Sequence, residues 1–498
     1  MTDNVDVTAL VVFVAFFLLV TVLGFVASNW RKPESLNHLN EWGLGGRNFG
    51  TWITWFLIGG DFYTAYTVIA VPALVYAVGA YGFFALPYTI IVYPFVFAVM
   101  PLLWQVAKDN NYVTAGDVVY GRYGSRGLEL VVALTGVLAT MPYIALQLIG
   151  MEVAIKAIGL KGEFPLILAF LVLALYTYSS GLRAPALIAF VKDIMIYIVV
   201  LIAISVVPWQ LGGYANVFAA ADEAFKIKGS GGTLLPDDRI IPYATLAVGS
   251  ALAAFMYPHT LTGIFAASSS DTIRKNAILL PAYTLLLGLL ALLGYMAHAA
   301  HLKLDNNNDV VPVLFKTLFP SWFAGFAFAA IAIGALVPAA VMSIGAANLF
   351  TRNIWKAWIS PDVTPKGEAQ VAKISSMLVK AGALLAILFL PTQFDLDLQL
   401  LGGLGILQTL PAPIFGRDTG WFRSQALLAG WAVGFFGGSW LAWSDGLKPL
   451  HALDFGGTPI IVYTGLLALI ANIAVAVAVN LALTATGIGK PAQPHAGR

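Results

Sequence analysis

A carboxylate lies within a long apolar stretch of the chain, directly after two glycines. Asp61 follows Gly59 and Gly60, and residues 51–58 and 68–79 on either side have the composition of a membrane-spanning helix. An ionisable group at the centre of a bilayer is costly and is normally tolerated where it faces a cavity or a partner. Asp61 could bind a cation or a transported proton beside a broken helix, whose freed carbonyl groups would add oxygen ligands. The alternative is a glycine kink in which Asp61 bonds to a neighbouring helix.

Other polar side chains within the apolar segments are candidate contacts for a small solute. They are Tyr63, Thr64 and Thr67 after Asp61, and Gln147, Tyr257, His259 and Gln408 in later segments. Aromatic and amide side chains also serve packing and hydrogen bonding between helices, so both interpretations stay open. Ser343, among the small residues at 339–348, would give a hard cation such as Na+ a hydroxyl ligand or mark close helix packing.

A further group of charges lies in a later apolar segment. Arg183 precedes Lys192 and Asp193 by a few helical turns. We predict that Arg183 and Asp193 take part in an interfacial ion pair or an intracellular gate, rather than in ligand binding.

The composition is that of a polytopic membrane protein. Of 498 residues, 59% are hydrophobic and 10% are charged, whereas about 25% are charged in a typical soluble domain. The net charge of +2 is too small to indicate nucleic-acid binding. The lack of cysteine excludes disulfides and a catalytic thiol. No kinase-like domain, nucleophile elbow or His-Glu-x-x-His motif is visible, so we do not expect an enzyme.

Apolar windows of about 20 residues predict about 13 transmembrane helices. They lie near residues 7–28, 51–79, 82–106, 130–157, 164–181, 185–208, 241–264, 276–299, 322–349, 371–390, 397–415, 424–443 and 459–483. The first is expected to persist as a span, because it lacks the basic leading segment of a signal peptide. An outside N-terminus places about 17 basic residues in the cytoplasm and about 7 outside, so we predict this orientation and a cytoplasmic C-terminus.

A second interruption lies about five spans after the first, where Pro258 and His259 break the span that begins near residue 241. Paired interruptions in two halves indicate an inverted repeat with a binding site between them. We predict one all-α transmembrane domain over residues 1–483, with repeats at about 45–208 and 240–416 and broken helices near 59–64 and 256–263. Helices 7–28, 424–443 and 459–483 would be additions, and residues 484–498 a disordered cytoplasmic tail.

Several short motifs together resemble the sodium:solute symporter family. They are residues 42–47, Gly59-Gly60-Asp61, residues 114–124, residues 181–184 with Asp193, Pro258-His259, and residues 339–343 with 353–355. Residues 59–67 and 141–147 look most like the bacterial monocarboxylate permease branch, which imports lactate, pyruvate and related acids. The resemblance covers essentially the whole membrane domain.

The resemblance implies a leucine-transporter-like fold with a 5+5 inverted repeat. It also implies a Na+ site made by carbonyls of Gly59 and Phe62 together with Ala340 and Ser343, and a coupling role for Asp61. Two positions depart from the family pattern: Ile344 replaces a Ser or Thr ligand, and Gly263 stands where many relatives carry an arginine.

We therefore expect a secondary transporter of a bacterial inner membrane that couples Na+, or alternatively H+, to the import of small monocarboxylates by alternating access. No cofactor other than the coupling ion, no nucleic acid and no obligate protein partner is expected. The alternatives are a symporter for an amino acid or another small solute, and, in a different class, a channel or a membrane sensor.

Overall fold

The computed structural model describes residues 5–30, 35–62, 64, 66–389, 395–415 and 420–487. The helices of the first half are α1 Val7–Val26, α2 Leu39–Leu44, α3 Thr51–Phe62, α4 Val71–Val78, α5 Ala85–Asp109, α6 Ala115–Tyr123, α7 Arg126–Ala157, α8 Phe164–Ser180, α9 Arg183–Gln210 and α10 Tyr214–Lys228. Helical turns of the 3-10 type cover Ala27–Asn29, Gly45–Arg47 and Gly79–Phe84, and a π-helical turn covers Tyr66–Ala70.

The second half also consists of helices joined by short connections. Its helices are α11 Ile240–Ala254, α12 Pro258–Ala266, α13 Ser270–Leu279, α14 Pro281–Ala291, α15 Leu293–Ala299, α16 Val310–Leu318, α17 Ser321–Leu349, α18 Pro365–Phe389, α19 Asp395–Leu407, α20 Pro411–Ile414, α21 Ser424–Ser444 and α22 Thr464–Ala485. Short 3-10 turns cover Asp237–Arg239 and Asn307–Asp309, and a π-helical segment, Phe350–Ile359, continues α17.

The helices are those of a multi-pass membrane protein. Among the described residues, eight helices are long and apolar enough to cross a membrane, or nine if α11 and α12 count as one bent span. The predicted number of 13 stays a prediction, because the breaks divide some spans and the described part of others is short. Helix α17 is apolar all round, and its most hydrophobic window is completely buried, whereas α1 and α22 are largely exposed. Helix α17 therefore forms the centre of the bundle.

The first interruption begins later than the glycines suggest. Helix α3 continues through Gly59 and Gly60 and ends at Phe62. A methyl group on Gly59 would lie 2.1 Å from a ring carbon of Tyr283, and one on Gly60 would lie 2.9 Å from Lys192 Nζ. The two glycines thus permit close packing rather than unwinding. The carbonyl groups of the last helical turn, from Gly59 to Phe62, have no partner further along α3.

The second interruption is a sharp bend. Helix α11 ends at Ala254, α12 begins at Pro258, and the two axes differ by 49°. Proline suits the first position of a helix, because it has no backbone N–H to leave unpaired. The non-helical part is therefore residues 255–257, shorter than the predicted 256–263, and His259 lies in the first turn of α12.

A two-stranded hairpin is an addition to the all-α prediction. Strand β1, Leu450–Leu453, pairs antiparallel with β2, Ile460–Tyr463, and α22 begins only at Thr464. The predicted span of 459–483 thus begins with a strand, because an apolar Ile-Ile-Val run suits either structure. The end of the predicted tail, residues 488–498, lies outside the described residues.

Candidate functional site

The two interruptions meet at the carboxylate of Asp61. Thr260, in the first turn of α12, donates a hydrogen bond of 3.2 Å from its hydroxyl to Asp61 Oδ2, and His259 Nε2 lies 3.4 Å from the same oxygen. Asp61 Oδ1 is buried and has no hydrogen-bond partner among the described residues. The carboxylate therefore lies between the end of α3 and the start of α12, with one oxygen available to a ligand.

A cavity of about 430 Å³, which includes space open to solvent, adjoins this carboxylate. Its lining residues come from several elements around the two breaks: Asp61, Tyr88, Tyr143, Ser250, Ala253, Ala254, Tyr257, His259, Thr260, Gln399, Leu400, Gly403 and Tyr463. Within the described part of the chain, Ser250 Oγ, His259 Nδ1 and Gln399 Oε1 are buried without a hydrogen-bond partner. Such polar atoms are costly unless a ligand or water satisfies them.

Tyrosine rings form much of the cavity wall. Tyr257 donates its hydroxyl to the carbonyl of Gln399 at 3.2 Å, and Tyr463 donates to the carbonyl of Leu400 at 2.7 Å. The Tyr143 ring lies 5.4 Å from the His259 ring and 5.5 Å from the Tyr257 ring, edge to face in both cases. The bonds to α19 hold this helix against the second interruption, and the cavity wall is aromatic with a few polar groups.

A buried ion pair supports the end of α3. Lys192 Nζ donates to the carbonyl of Gly60 at 2.5 Å and lies 3.0 Å from Asp193 Oδ1. Tyr283 donates its hydroxyl to Asp193 Oδ2 at 2.6 Å. An ammonium group at a helix C-terminus interacts favourably with the partial negative charge of the carbonyl groups there.

The predicted α17 ligands belong to a separate hydrogen-bonded chain. Ser343 donates its hydroxyl to the carbonyl of Ala340 at 2.8 Å and accepts a bond of 3.1 Å from Ser376. Ile344 beside it is fully buried and offers no oxygen. A hard cation requires oxygen ligands. All the groups implied as ligands offer oxygen: the carbonyls of Gly59, Phe62 and Ala340 and the hydroxyl of Ser343.

The predicted substrate contacts divide into two groups. Tyr257 and His259 line the cavity, and Thr64 lies buried within hydrogen-bonding reach of Tyr143. Thr67 is buried but does not line the cavity, and Gln147 donates its amide to the Tyr143 carbonyl in its own helix at 3.3 Å. Tyr63 lies outside the described residues.

The prediction that Gln408 contacts substrate is not supported by the structure. Its amide donates to the carbonyls of Leu404 and Gly465, and Asn472 donates to its side-chain oxygen at 3.2 Å. The amide therefore ties α19 to α22 and is saturated by these bonds, away from the cavity.

Arg183 and Asp193 each form an ion pair, but with different partners. Both residues lie on α9 ten positions apart, which is about 15 Å along a helix, so they cannot meet. Arg183 instead binds the side chain of Glu41 at 2.5 Å and its carbonyl at 2.7 Å, while Asp193 pairs with Lys192. A gating role for either pair stays a prediction.

Several residues of the site have no specific signal in the sequence. Thr260 could have been found, since it follows His259 at the second interruption, whereas Ser250 lies within the span before it. Tyr88, Gln399 and Tyr463 reach the cavity only through tertiary packing.

A second group that the sequence did not predict is an ion-pair network around Arg352. Arg352 lies 3.2 Å from Asp117 and 3.0 Å from Glu368, and Lys356 lies 2.9 Å from Glu368. Asn353 donates to Asp117 at 2.9 Å and belongs to the same network. The network joins α6 and α18 to the end of the α17 segment.

Comparison with known proteins supports the assignment of the fold. The profile of the sodium:solute symporter family matches residues 42–407. A protein of Rhizobium johnstonii, named a monocarboxylate transport permease protein, is 75% identical over 97% of this chain and 99% of its own length. An uncharacterised symporter of Bacillus subtilis, YodF, is 34% identical over 86% of this chain and 88% of its own length.

The fold also matches a solved structure of a Na+-coupled sialic acid symporter in a substrate-bound, outward-open state. The TM-score is 0.79 at 15% identity, over 98% of this chain and all of that chain, which confirms the leucine-transporter-like fold. The protein is thus a multi-pass membrane transporter and not an enzyme, and its membership of the family, with the fold of the Na+-coupled neighbour, supports cation-coupled symport. The chain belongs to the sodium:solute symporter family.

Proposed function

We propose that this protein imports small monocarboxylates, such as lactate and pyruvate, across a bacterial inner membrane, with Na+ as the favoured coupling ion and H+ as the alternative. The observation that carries the proposal is the position of Asp61. Its carboxylate contacts both interrupted helices, adjoins the cavity and keeps one oxygen available. The family and the fold of the Na+-coupled neighbour support Na+, and the name of the Rhizobium relative supports a monocarboxylate.

The cavity can accept an anion without an arginine. A carboxylate near Asp61 needs compensating positive charge, which the coupling cation would bring. The N-terminus of α12 at Pro258 adds the partial positive charge of its unpaired N–H groups. Ser250 and the cavity tyrosines offer hydroxyl groups. Ligand and cation would each stabilise the same arrangement of the two broken helices, which is the thermodynamic basis of coupling.

Alternating access is supported by a second cavity on another face of α12. This cavity, of about 400 Å³, is lined by Met256, Pro258, Leu261, Thr262 and residues of α6, α7, α17, α19 and α20. His259 and Thr260 face the first cavity, so the short α12 separates the two. A small rotation of α12 and its neighbours would exchange the solute between them. The distribution of basic residues supports an outside N-terminus, which would place the second cavity towards the cytoplasm.

Uptake into proteoliposomes tests the proposal. Labelled lactate or pyruvate is supplied outside, and Na+ and proton gradients are imposed separately, with and without an ionophore that removes the gradient. We expect accumulation above the outside concentration under a Na+ gradient. Lack of gradient-driven accumulation of any small carboxylate would contradict the proposal, and facilitated equilibration alone would indicate a channel.

One observation favours an amino acid as the second candidate. The buried Asp61 Oδ1 has no partner among the described residues and could accept an ammonium group. Competition by alanine and other small amino acids in the same assay would separate these substrates. An amino acid that competes more strongly than lactate or pyruvate would favour this candidate.

A further inference from the structure

Lys380 is a buried lysine that the proposed mechanism does not use. It lies in α18 with no exposed surface, and its Nζ donates a hydrogen bond of 3.0 Å to Ser376 Oγ one turn earlier in the helix. In the described ranges no carboxylate forms an ion pair with it, whereas the buried Lys192 lies 3.0 Å from Asp193. A buried charge without a countercharge is costly and commonly marks a functional site in a membrane protein.

The hydrogen bonds of Lys380 lead to the predicted cation ligands. Ser376 donates to Ser343 Oγ at 3.1 Å, and Ser343 donates to the carbonyl of Ala340 at 2.8 Å. Both α17 groups that the family resemblance implies as Na+ ligands therefore lie on one chain of hydrogen bonds that begins at an amine. All four side chains or backbone groups are buried, so water screens the amine charge poorly.

The residue after Ser343 also affects the number of cation ligands on α17. Ile344 is fully buried where the family pattern has a hydroxyl, so α17 offers one side-chain oxygen to a cation at this point instead of two. The site thus lacks one ligand and has a lysine two hydrogen bonds away from the ligand that remains. Both features act against a metal cation there.

We infer that Lys380 is the residue that sets the cation affinity of this transporter, because its buried ammonium group disfavours Na+ next to Ser343. The inference rests on the proposed function, in that it takes the α17 groups as part of the coupling site. Two hydrogen bonds separate Lys380 Nζ from Ser343 Oγ. Two unit charges about 6–8 Å apart, at an effective dielectric constant of about 20, change an affinity by about 30- to 100-fold. The wild-type protein should therefore bind Na+ weakly, with Lys380 as the cause.

The test measures Na+ binding to the purified full-length protein without transport, as the Na+-dependent rise of Tm at fixed pH and constant ionic strength. We expect Lys380→Met, which removes the charge and keeps the length of the side chain, to bind Na+ about 30- to 100-fold more tightly than wild type. Lys380→Gln, which keeps a donor for Ser376, should show the same direction of change, and it replaces Lys380→Met if that variant does not fold. Lys380→Arg should bind Na+ as weakly as wild type.

Lys373→Met is the matched control. Lys373 lies two turns earlier on α18 with its amine 5.7 Å from the centre of the Tyr178 ring, so its removal takes a charge from the same helix outside the buried chain. We expect its Na+ affinity to equal that of wild type. Equal affinities in Lys380→Met, Lys380→Gln and wild type would overturn the inference, as would an equal gain in Lys373→Met.

The uptake assay separates this inference from the proposed function. If no gradient drives carboxylate accumulation in wild type, the proposed function fails, while the Na+ titration still decides the role of Lys380. If wild type uses only a proton gradient and Lys380→Met gains Na+-driven uptake, the inference is supported and Na+ coupling of the wild type is excluded. If neither protein responds to Na+ in uptake or in Tm, the inference is overturned.

Discussion

Asp61 and Thr260 lie on two different interrupted helices and are joined by a hydrogen bond of 3.2 Å. Asp61 is in the last turn of α3 and Thr260 is in the first turn of α12. The negative end of one helix dipole thus meets the positive end of another, with a carboxylate between them. A movement of either helix changes the surroundings of Asp61, so the occupancy of this carboxylate and the arrangement of the helices depend on each other.

Asp61→Asn should abolish gradient-driven uptake of lactate and pyruvate. The substitution keeps the shape of the side chain and removes the negative charge, so a cation loses its attraction to the site. We expect driven uptake to fall at least about 100-fold, a loss of about 2.7 kcal/mol. Initial uptake rates in proteoliposomes check this, with protein amount and Tm as controls for folding. Driven uptake at the wild-type rate would exclude a coupling role for Asp61.

Thr260→Val should weaken coupling through the loss of the hydrogen bond to Asp61. A hydrogen bond to a charged group contributes about 1.5–3 kcal/mol, so we expect driven uptake to fall about 10- to 100-fold. Thr260→Ser keeps the hydroxyl group and is the matched control, with uptake close to wild type. Initial rates in proteoliposomes check this: uptake at the wild-type rate in Thr260→Val would exclude a role for the hydroxyl group, and a loss confined to Thr260→Ser would assign the effect to the methyl group.

The sequence predicted the fold more completely than the site. The charge and glycine pattern near Asp61 and the Pro-His pair are local features, and the structure brings Asp61 within 3.4 Å of His259. Gly59 and Gly60 suit a break in a helix, but the space that they leave is filled by Tyr283 and Lys192 from other helices. Close approach and unwinding have the same sequence signature.

Long-range contacts were beyond what the sequence could show. Tyr463 is the last residue of a β-strand in a segment whose composition predicts a helix. Its hydroxyl donates to the carbonyl of Leu400, and its ring lines the cavity. Gln408 has the same polar character as a substrate ligand, but Asn472 from α22 binds its side chain. The surroundings of both side chains depend on which helices are neighbours in the fold. The spacing of residues within one segment carries no information about those neighbours.

Ile344→Thr should increase the effect of Na+ on stability and uptake. Ile344 is fully buried, and a hydroxyl group placed there without a partner costs about 1–3 kcal/mol of the free energy of unfolding. A Na+ ion that uses this oxygen would recover that loss, so we expect Tm to fall without Na+ and to rise when Na+ is added. Ile344→Val, which removes a methyl group and adds no oxygen, should lose stability without any gain in Na+ response. An unchanged cation response in Ile344→Thr would argue for proton coupling.

Gly59→Ala should destabilise the protein through a clash at the end of α3. The added methyl group would lie 2.1 Å from a Tyr283 ring carbon, and this ring is held by its hydrogen bond to Asp193. Overpacking of this kind costs about 1–3 kcal/mol, which thermal unfolding in detergent would measure as a lower Tm. Gly437→Ala is the matched control, since a methyl group there meets nothing within 4 Å on an exposed helix face. Equal Tm values for both variants would contradict the tight packing of Gly59.

Arg352→Met should open the second cavity towards the side of the bundle assigned to the cytoplasm. Thr114 lines this cavity and donates a hydrogen bond of 2.6 Å to Asn353, so the ion-pair network lies directly beside the cavity. Arg352 bridges Asp117 and Glu368 there. Removal of one partner of a buried ion pair costs about 3–5 kcal/mol, and we expect a smaller loss because Arg352 is about one quarter exposed.

The lack of cysteine makes that opening measurable, because Thr262→Cys introduces the sole thiol of the chain into the cavity. In the Thr262→Cys background, Arg352→Met should react with a membrane-impermeant thiol reagent at least about tenfold faster. This corresponds to a decrease of about 1.4 kcal/mol in the free energy that favours the closed cavity over the open one. Lys356→Met is the control, since it removes one contact of Glu368 and leaves Arg352 bound to both carboxylates. Its labelling rate should stay near that of the background protein. A rate for Arg352→Met that equals the control would show that the network stabilises the fold without closing the cavity.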